Sequence, residues 1–157
     1  MTQTSVAHSS DYRQRSRARR RAVQAIYQWQ ITGNDMVGIR QAMLDDCDLG
    51  AFDTDYFWEL LQRIPVMAAE LDTLIEPWLD RPLRTIDPVE QAILRLGAFE
   101  LMERIEVPYR VVLDEAVELA KVFGAEQSHR YINGVLDRVG RGLTRRAAEL
   151  EPSQPRG

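Results

Sequence analysis

The stretch DPVEQAILRLGAFELM, residues 87–102, decides the fold. Asp87 is an N-cap residue, Pro88 suits the first helical position, and Glu90 stands where a capping box is closed. Behind this start, Ile93, Leu94, Leu96, Ala98, Phe99, Leu101 and Met102 cover most of a helix's circumference. That pattern predicts a central helix buried on nearly all sides.

Outward from this helix, helical periodicity dominates and alternating strand patterns are scarce, so the fold class is all-α. Downstream, Pro108 begins a helix with Val112, Ala116, Leu119, Ala120 and Phe123 inward, Asp114, Glu118 and Lys121 outward, and Gly124 as its stop. A last helix uses Ile132, Val135, Leu136 and Val139. Within it, Gly134 reads as a close helix–helix contact.

Upstream, a helix is expected from about Tyr12 to Thr32, burying Ala22, Val23, Ile26, Tyr27 and Trp29 and stopping at Gly33-Asn34. A short helix follows near Met36–Asp45, with Val37, Ile39 and Met43 facing in. The loop Asp46–Phe52 is acidic. The next helix is capped by Asp53 or Thr54 and carries Phe57, Leu60, Leu61 and Ile64. Pro65 should kink or break it. The stripe resumes at Met67, Leu71, Leu74 and Ile75 and halts at Pro77-Trp78. The Leu79–Ile86 segment reads as a linker between two groups of about three helices. The expected boundaries are a disordered leader at 1–11, one helical domain at 12–143 (subdomains about 12–78 and 87–143), and a flexible tail at 144–157.

Composition narrows the function. With 157 residues, 45% hydrophobic and 28% charged, the chain has ample material for a core and is not of disordered type. No apolar run is long enough for a transmembrane helix, and polar Met1–Ser10 has no signal-peptide h-region. The single cysteine, Cys47, makes the cytoplasm the default compartment. His8 and His129 lack a Cys/His ligand cluster, so no zinc site is expected. The acidic run from Asp46 fails the calcium-loop register, with Gly50 fifth and Phe57 twelfth. Phosphate-binding glycine loops and nucleophile elbows are missing, and neither catalysis nor a cofactor is expected.

The positive signal is charge. Residues 1–34 carry six arginines against Asp11, a local +5 in a chain of net −4, which leaves −9 for the rest. Arg13, Arg17, Arg20 and Arg21 fall on one side of a continuing helix, with Arg15 and Arg19 flanking them. A high-GC genome also enriches arginine, but charge this local is the usual footprint of a polyanion site. Phosphates would relieve the repulsion along the helix, as they do for arginine-rich segments on RNA. Composition does not separate RNA from DNA. Tyr27, Trp78 and Tyr131 are the aromatic candidates for base stacking; Tyr27 reads better as core or rim.

Residues 107–137, VPYRVVLDEAVELAKVFGAEQSHRYINGVLD, resemble the signature of the transcription antitermination factor NusB family. RRRAVQAIYQW, residues 19–29, resembles that family's first helix, and VEQAILRLGAFEL, residues 89–101, its central one. The resemblance covers about Arg13 to Leu143. It implies an all-helical fold of two packed helical subdomains and no catalysis. It implies binding of boxA RNA together with NusE, also a small-subunit ribosomal protein, in a complex on RNA polymerase that lets ribosomal RNA operons escape termination. Carried over by position, RNA contacts fall on Arg13, Arg15, Arg17, Arg19, Trp78, Gln127 and Tyr131, and the NusE contact on Glu90. Arg20, Arg21 and Pro65 depart from the family pattern.

Two rival readings stand beside this one. One is a helper domain for rRNA modification, disfavoured because the chain has neither room nor motif for a methyl-donor domain. The other is a protein-interaction module that homodimerises, its arginines serving an acidic protein surface.

Overall fold

A computed structural model describes residues 2–45, 50–123 and 126–150. Every regular element among the described residues is helical, as the periodicity requires. The chain divides into two compact units, Met1–Met67 and Ala68–Gly157.

The first unit holds α1 (Thr2–Thr32), α2 (Met36–Leu44) and α3 (Thr54–Val66). Helix α1 begins at Thr2, inside the stretch read as a disordered leader. No proline or glycine precedes Gly33, so nothing in the backbone stops the helix from extending. Gly33 ends it with φ +70°, a left-handed conformation that glycine adopts freely, and its N–H donates to Trp29 O at 2.8 Å. α1 packs on α2 and α3. Its buried face is Ala18, Arg19, Ala22, Val23, Ala25 and Ile26. Tyr27, expected inside, is 39% exposed, because it sits a further 100° round from Ile26. On α2, Ile39 is buried while Val37, also expected inside, faces solvent.

Asp53 caps α3, its carboxylate accepting from Tyr56 N at 3.0 Å. Its own N–H donates to Gln14 O at 3.1 Å, which ties the start of α3 to α1. Tyr56, Phe57, Leu60, Leu61 and Ile64 are buried. Pro65 lies in the last turn of α3 and the helix ends one residue later, at Val66.

The second unit holds α4 (Ala68–Ile75), α5 (Pro88–Glu103), α6 (Tyr109–Val122), α7 (His129–Arg141) and α8 (Ala147–Leu150), with 3-10 turns at Glu76–Trp78, Leu83–Thr85, Glu126–Ser128 and Thr144–Arg146. The unit boundary lies ahead of α4, not at the 79–86 linker. The cause is local: α4 packs on α5, and Asp72 and Arg95 form a two-pronged pair with both N–O distances 2.9 Å. α5 is the central buried helix, with Ala92–Leu94 and Leu96–Met102 buried, as the sequence demands.

Close helix contacts are made at glycines other than the one expected. A Cβ on Gly97 of α5 would stand 2.6 Å from Leu136 of α7, and one on Gly140 of α7 would stand 2.6 Å from the Tyr109 ring of α6. A Cβ on Gly134 would meet nothing within 4 Å among the described residues. Gly134 is off the buried stripe of Ile132, Val135, Leu136, Val139 and Gly140.

The segment read as a flexible tail is docked as far as Leu150. Arg146 is 0% exposed. Its guanidinium donates to the carbonyls of Glu100, Leu101 and Arg104 at 3.0 Å each and of Val107 at 2.7 Å, and pairs with Glu149 at 2.8 Å. These carbonyls belong to the C-terminal end of α5 and the turn after it, where intrahelical donors run out; those of Glu100 and Arg104 also accept from the N–H groups of Arg104 and Val107. Glu149 also accepts from Tyr109 N, at the start of α6, at 2.8 Å. Arg145 adds a bond to Met102 O. The tail is polar because its polar groups complete the helix ends. Asp46, Cys47, Asp48 and the expected stop Gly124 lie outside the described residues, as do residues 151–157.

Candidate nucleic-acid interface

In the first unit, the helical register sorts the arginines. Arg13, Arg17 and Arg20 are exposed at spacings of four and three, a single row along α1. Arg17 Nη1 also donates to Ala51 O at 3.1 Å. Arg15 is half-buried, with its guanidinium 4.2 Å above the Tyr56 ring and Nε 3.8 Å from Asp53.

Arg19 corrects the expectation for it. It is 2% exposed, on the same face as Ala18, Ala22 and Val23, with its guanidinium 5.6 Å from the Tyr56 ring centroid. A buried planar cation on an aromatic face is a packing element of the core. The third exposed arginine of the row is Arg20, which helical spacing places with Arg13 and Arg17 but which the family resemblance left out of the RNA contacts.

In the second unit, Trp78 ends a 3-10 turn and is 41% exposed. Tyr131 is half-buried in the first turn of α7. Its hydroxyl donates to Asp80 Oδ1 at 2.9 Å and accepts from Asp80 N at 3.2 Å. Burial holds its phenol pKa above the ordinary 10.0. Arg81 stands 5.8 Å from the Tyr131 ring centroid and its Nε is 3.6 Å from Asp80. The Leu79–Ile86 linker therefore contributes to this surface, and Arg81 is a residue the sequence reading passed over. Gln127 is exposed in the turn that precedes α7.

Glu90 does not close a capping box. Asp87 caps α5 by accepting from Val89 N at 2.9 Å, while half-buried Glu90 accepts from Ser128 Oγ at 2.6 Å. Tertiary contact takes the carboxylate that the local motif would have used. Ser128 in turn makes no side-chain cap for α7.

No group of three or more metal-ligating side chains is found among the described residues. Nor is any described helix long and apolar enough to cross a membrane.

These features define a class: an all-helical protein that presents arginines along one exposed helix face and aromatics at helix ends. The NusB family model matches residues 16–141. A transcription antitermination protein NusB of Halorhodospira halophila is 56% identical over 92% of this chain and 92% of its own. Another, of Alkalilimnicola ehrlichii, is 49% identical over 92% of this chain and 90% of its own. Among solved structures, T. maritima NusB matches with a TM-score of 0.71 and 28% identity, covering 81% of this chain and 90% of that one. A NusB in a crystal structure of antitermination factors NusB and NusE with dsRNA matches in fold, with a TM-score of 0.73, 23% identity, and coverage of 83% and 98%. The chain belongs to the NusB family.

Proposed function

We propose that this chain is a non-catalytic, RNA-binding transcription antitermination factor. It binds boxA-type single-stranded RNA together with NusE and joins the RNA polymerase complex that carries ribosomal RNA operons past terminators, in the cytoplasm. The observation that carries the reading is the row Arg13, Arg17 and Arg20, exposed on α1 in a chain that is acidic elsewhere. Such a row suits a phosphate backbone.

Base contact is assigned to Trp78, Tyr131 and Gln127. An exposed Trp78, a half-buried Tyr131 and one exposed amide offer the stacking and hydrogen bonding that splayed single-stranded bases require. Arg15 flanks the arginine row, and Arg19 supports it from the core. Glu90 is the partner-facing residue. The relatives' names support the antitermination reading, and the NusB solved with NusE and dsRNA shares the fold.

The test is a titration of labelled boxA RNA, a scrambled strand and a duplex, each with and without NusE. The reading expects boxA to win over the scrambled strand and NusE to tighten binding. Equal affinity for all three RNAs with no effect of NusE would overturn it.

A further inference from the structure

Glu90 and Ser128 belong to different helix starts, yet their side chains meet at 2.6 Å. Glu90 lies in the first turn of α5. Ser128 closes the turn Glu126–Ser128 and is the N-cap residue of α7. A capping serine has an extended backbone, whereas Ser128 is helical, with φ −94° and ψ −5°, as the 3-10 turn runs on into α7. Ser128 makes no side-chain cap bond and gives its hydroxyl proton to Glu90 instead. A short hydrogen bond to a carboxylate is stronger than a neutral one.

The consequence is positional. Gln127 immediately precedes Ser128, and Tyr131 follows within one turn of α7. Tyr131 in turn grips Asp80, two residues beyond Trp78. A continuous series of contacts therefore runs from α5 through the start of α7 to the loop that carries Trp78.

We propose that Glu90 is a positioning residue for RNA: through Ser128 it sets the turn that presents Gln127 and Tyr131. This role rests on the RNA-binding reading above and is separate from any contact Glu90 makes with a protein partner.

The test is boxA RNA affinity without NusE for Glu90→Ala, Ser128→Ala, the double variant, and the conservative Ser128→Thr and Glu90→Gln, each with a melting curve. Each alanine should weaken binding by about fivefold, the low end of energetic coupling between two sites. The double variant should be no weaker than either single, because both remove one bond. Threonine keeps the hydroxyl and glutamine keeps an acceptor, so both should restore most of the affinity while melting temperatures stay near wild type. Wild-type affinity in Ser128→Ala, additive losses in the double variant, or no rescue by threonine would each overturn the proposal. Should an alanine variant fail to fold, the conservative pair carries the same test, since loss of affinity in both would contradict it. A triple Arg13, Arg17 and Arg20 alanine variant run alongside reports on the RNA reading itself; unchanged affinity there is a failure of that reading, not of the Glu90–Ser128 link.

Discussion

Tyr131 and Asp80 hold each other twice: the phenol donates to Asp80 Oδ1 at 2.9 Å and accepts from Asp80 N at 3.2 Å. The pair fixes the loop after Trp78 to the start of α7. Tyr131→Phe keeps the ring and loses both bonds. It should cost about 0.5–1.5 kcal/mol per bond at most, with the loop loosened around Trp78. Hydrogen exchange at residues 79–82 checks this: faster exchange in the variant is expected, and unchanged exchange would show that the bonds do not hold the loop.

The same phenol gives a pH dependence. Its pKa is raised in the folded state, above the ordinary 10.0, chiefly by burial. The unfolded chain therefore loses this proton first. The associated stability is fully present below pH 10 and is lost as pH rises from there through the folded-state value. Unfolding titrations at pH 8 to 11 should show a gap between wild type and Tyr131→Phe that closes with rising pH. A gap that stays constant would contradict the assignment.

Trp78 is 41% exposed, so Trp78→Ala should leave the melting curve close to wild type. The affinity for boxA RNA should fall by about 1–3 kcal/mol, the worth of one stacked base. A large drop in melting temperature with normal RNA binding would make Trp78 a structural residue and remove it from the interface.

Arg146→Ala removes the five guanidinium bonds at the end of α5 and the turn after it, leaving four main-chain carbonyls and Glu149 without that donor. The expected loss is about 3–5 kcal/mol, as for other buried charge partners. Arg146→Lys should recover only part of it, because an ammonium lacks the planar fork. Urea unfolding of the three proteins decides the matter; equal midpoints would contradict the clasp.

Helix α5 was legible in residues 87–102 because its cap and its all-round apolar surface are local properties. The Arg146 clasp was not, since a basic residue in a polar tail looks the same whether it caps another helix or faces water. Arg19 was misplaced for a related reason: charge argued for the surface, while register and the Tyr56 ring put it in the core. The capping box at Asp87 was half right. Its aspartate works locally, but Glu90 is taken by Ser128, 38 residues away. The aromatic site residues were legible as residue types; their arrangement around Asp80 and Arg81 depended on the turn at 79–86, which carries no periodic signal.

The most direct measurement is the salt dependence of boxA RNA binding for wild type and the triple Arg13, Arg17 and Arg20 alanine variant. Each phosphate contact on a single strand contributes a slope of about −0.7 in log K against log salt. Three lost contacts should flatten the slope by about 2 and weaken binding at low salt, with the melting curve close to wild type because all three side chains are exposed and only the exposed Arg17–Ala51 bond is lost. A slope and affinity equal to wild type would contradict the account: the arginine face of α1 would then not be where this protein meets RNA.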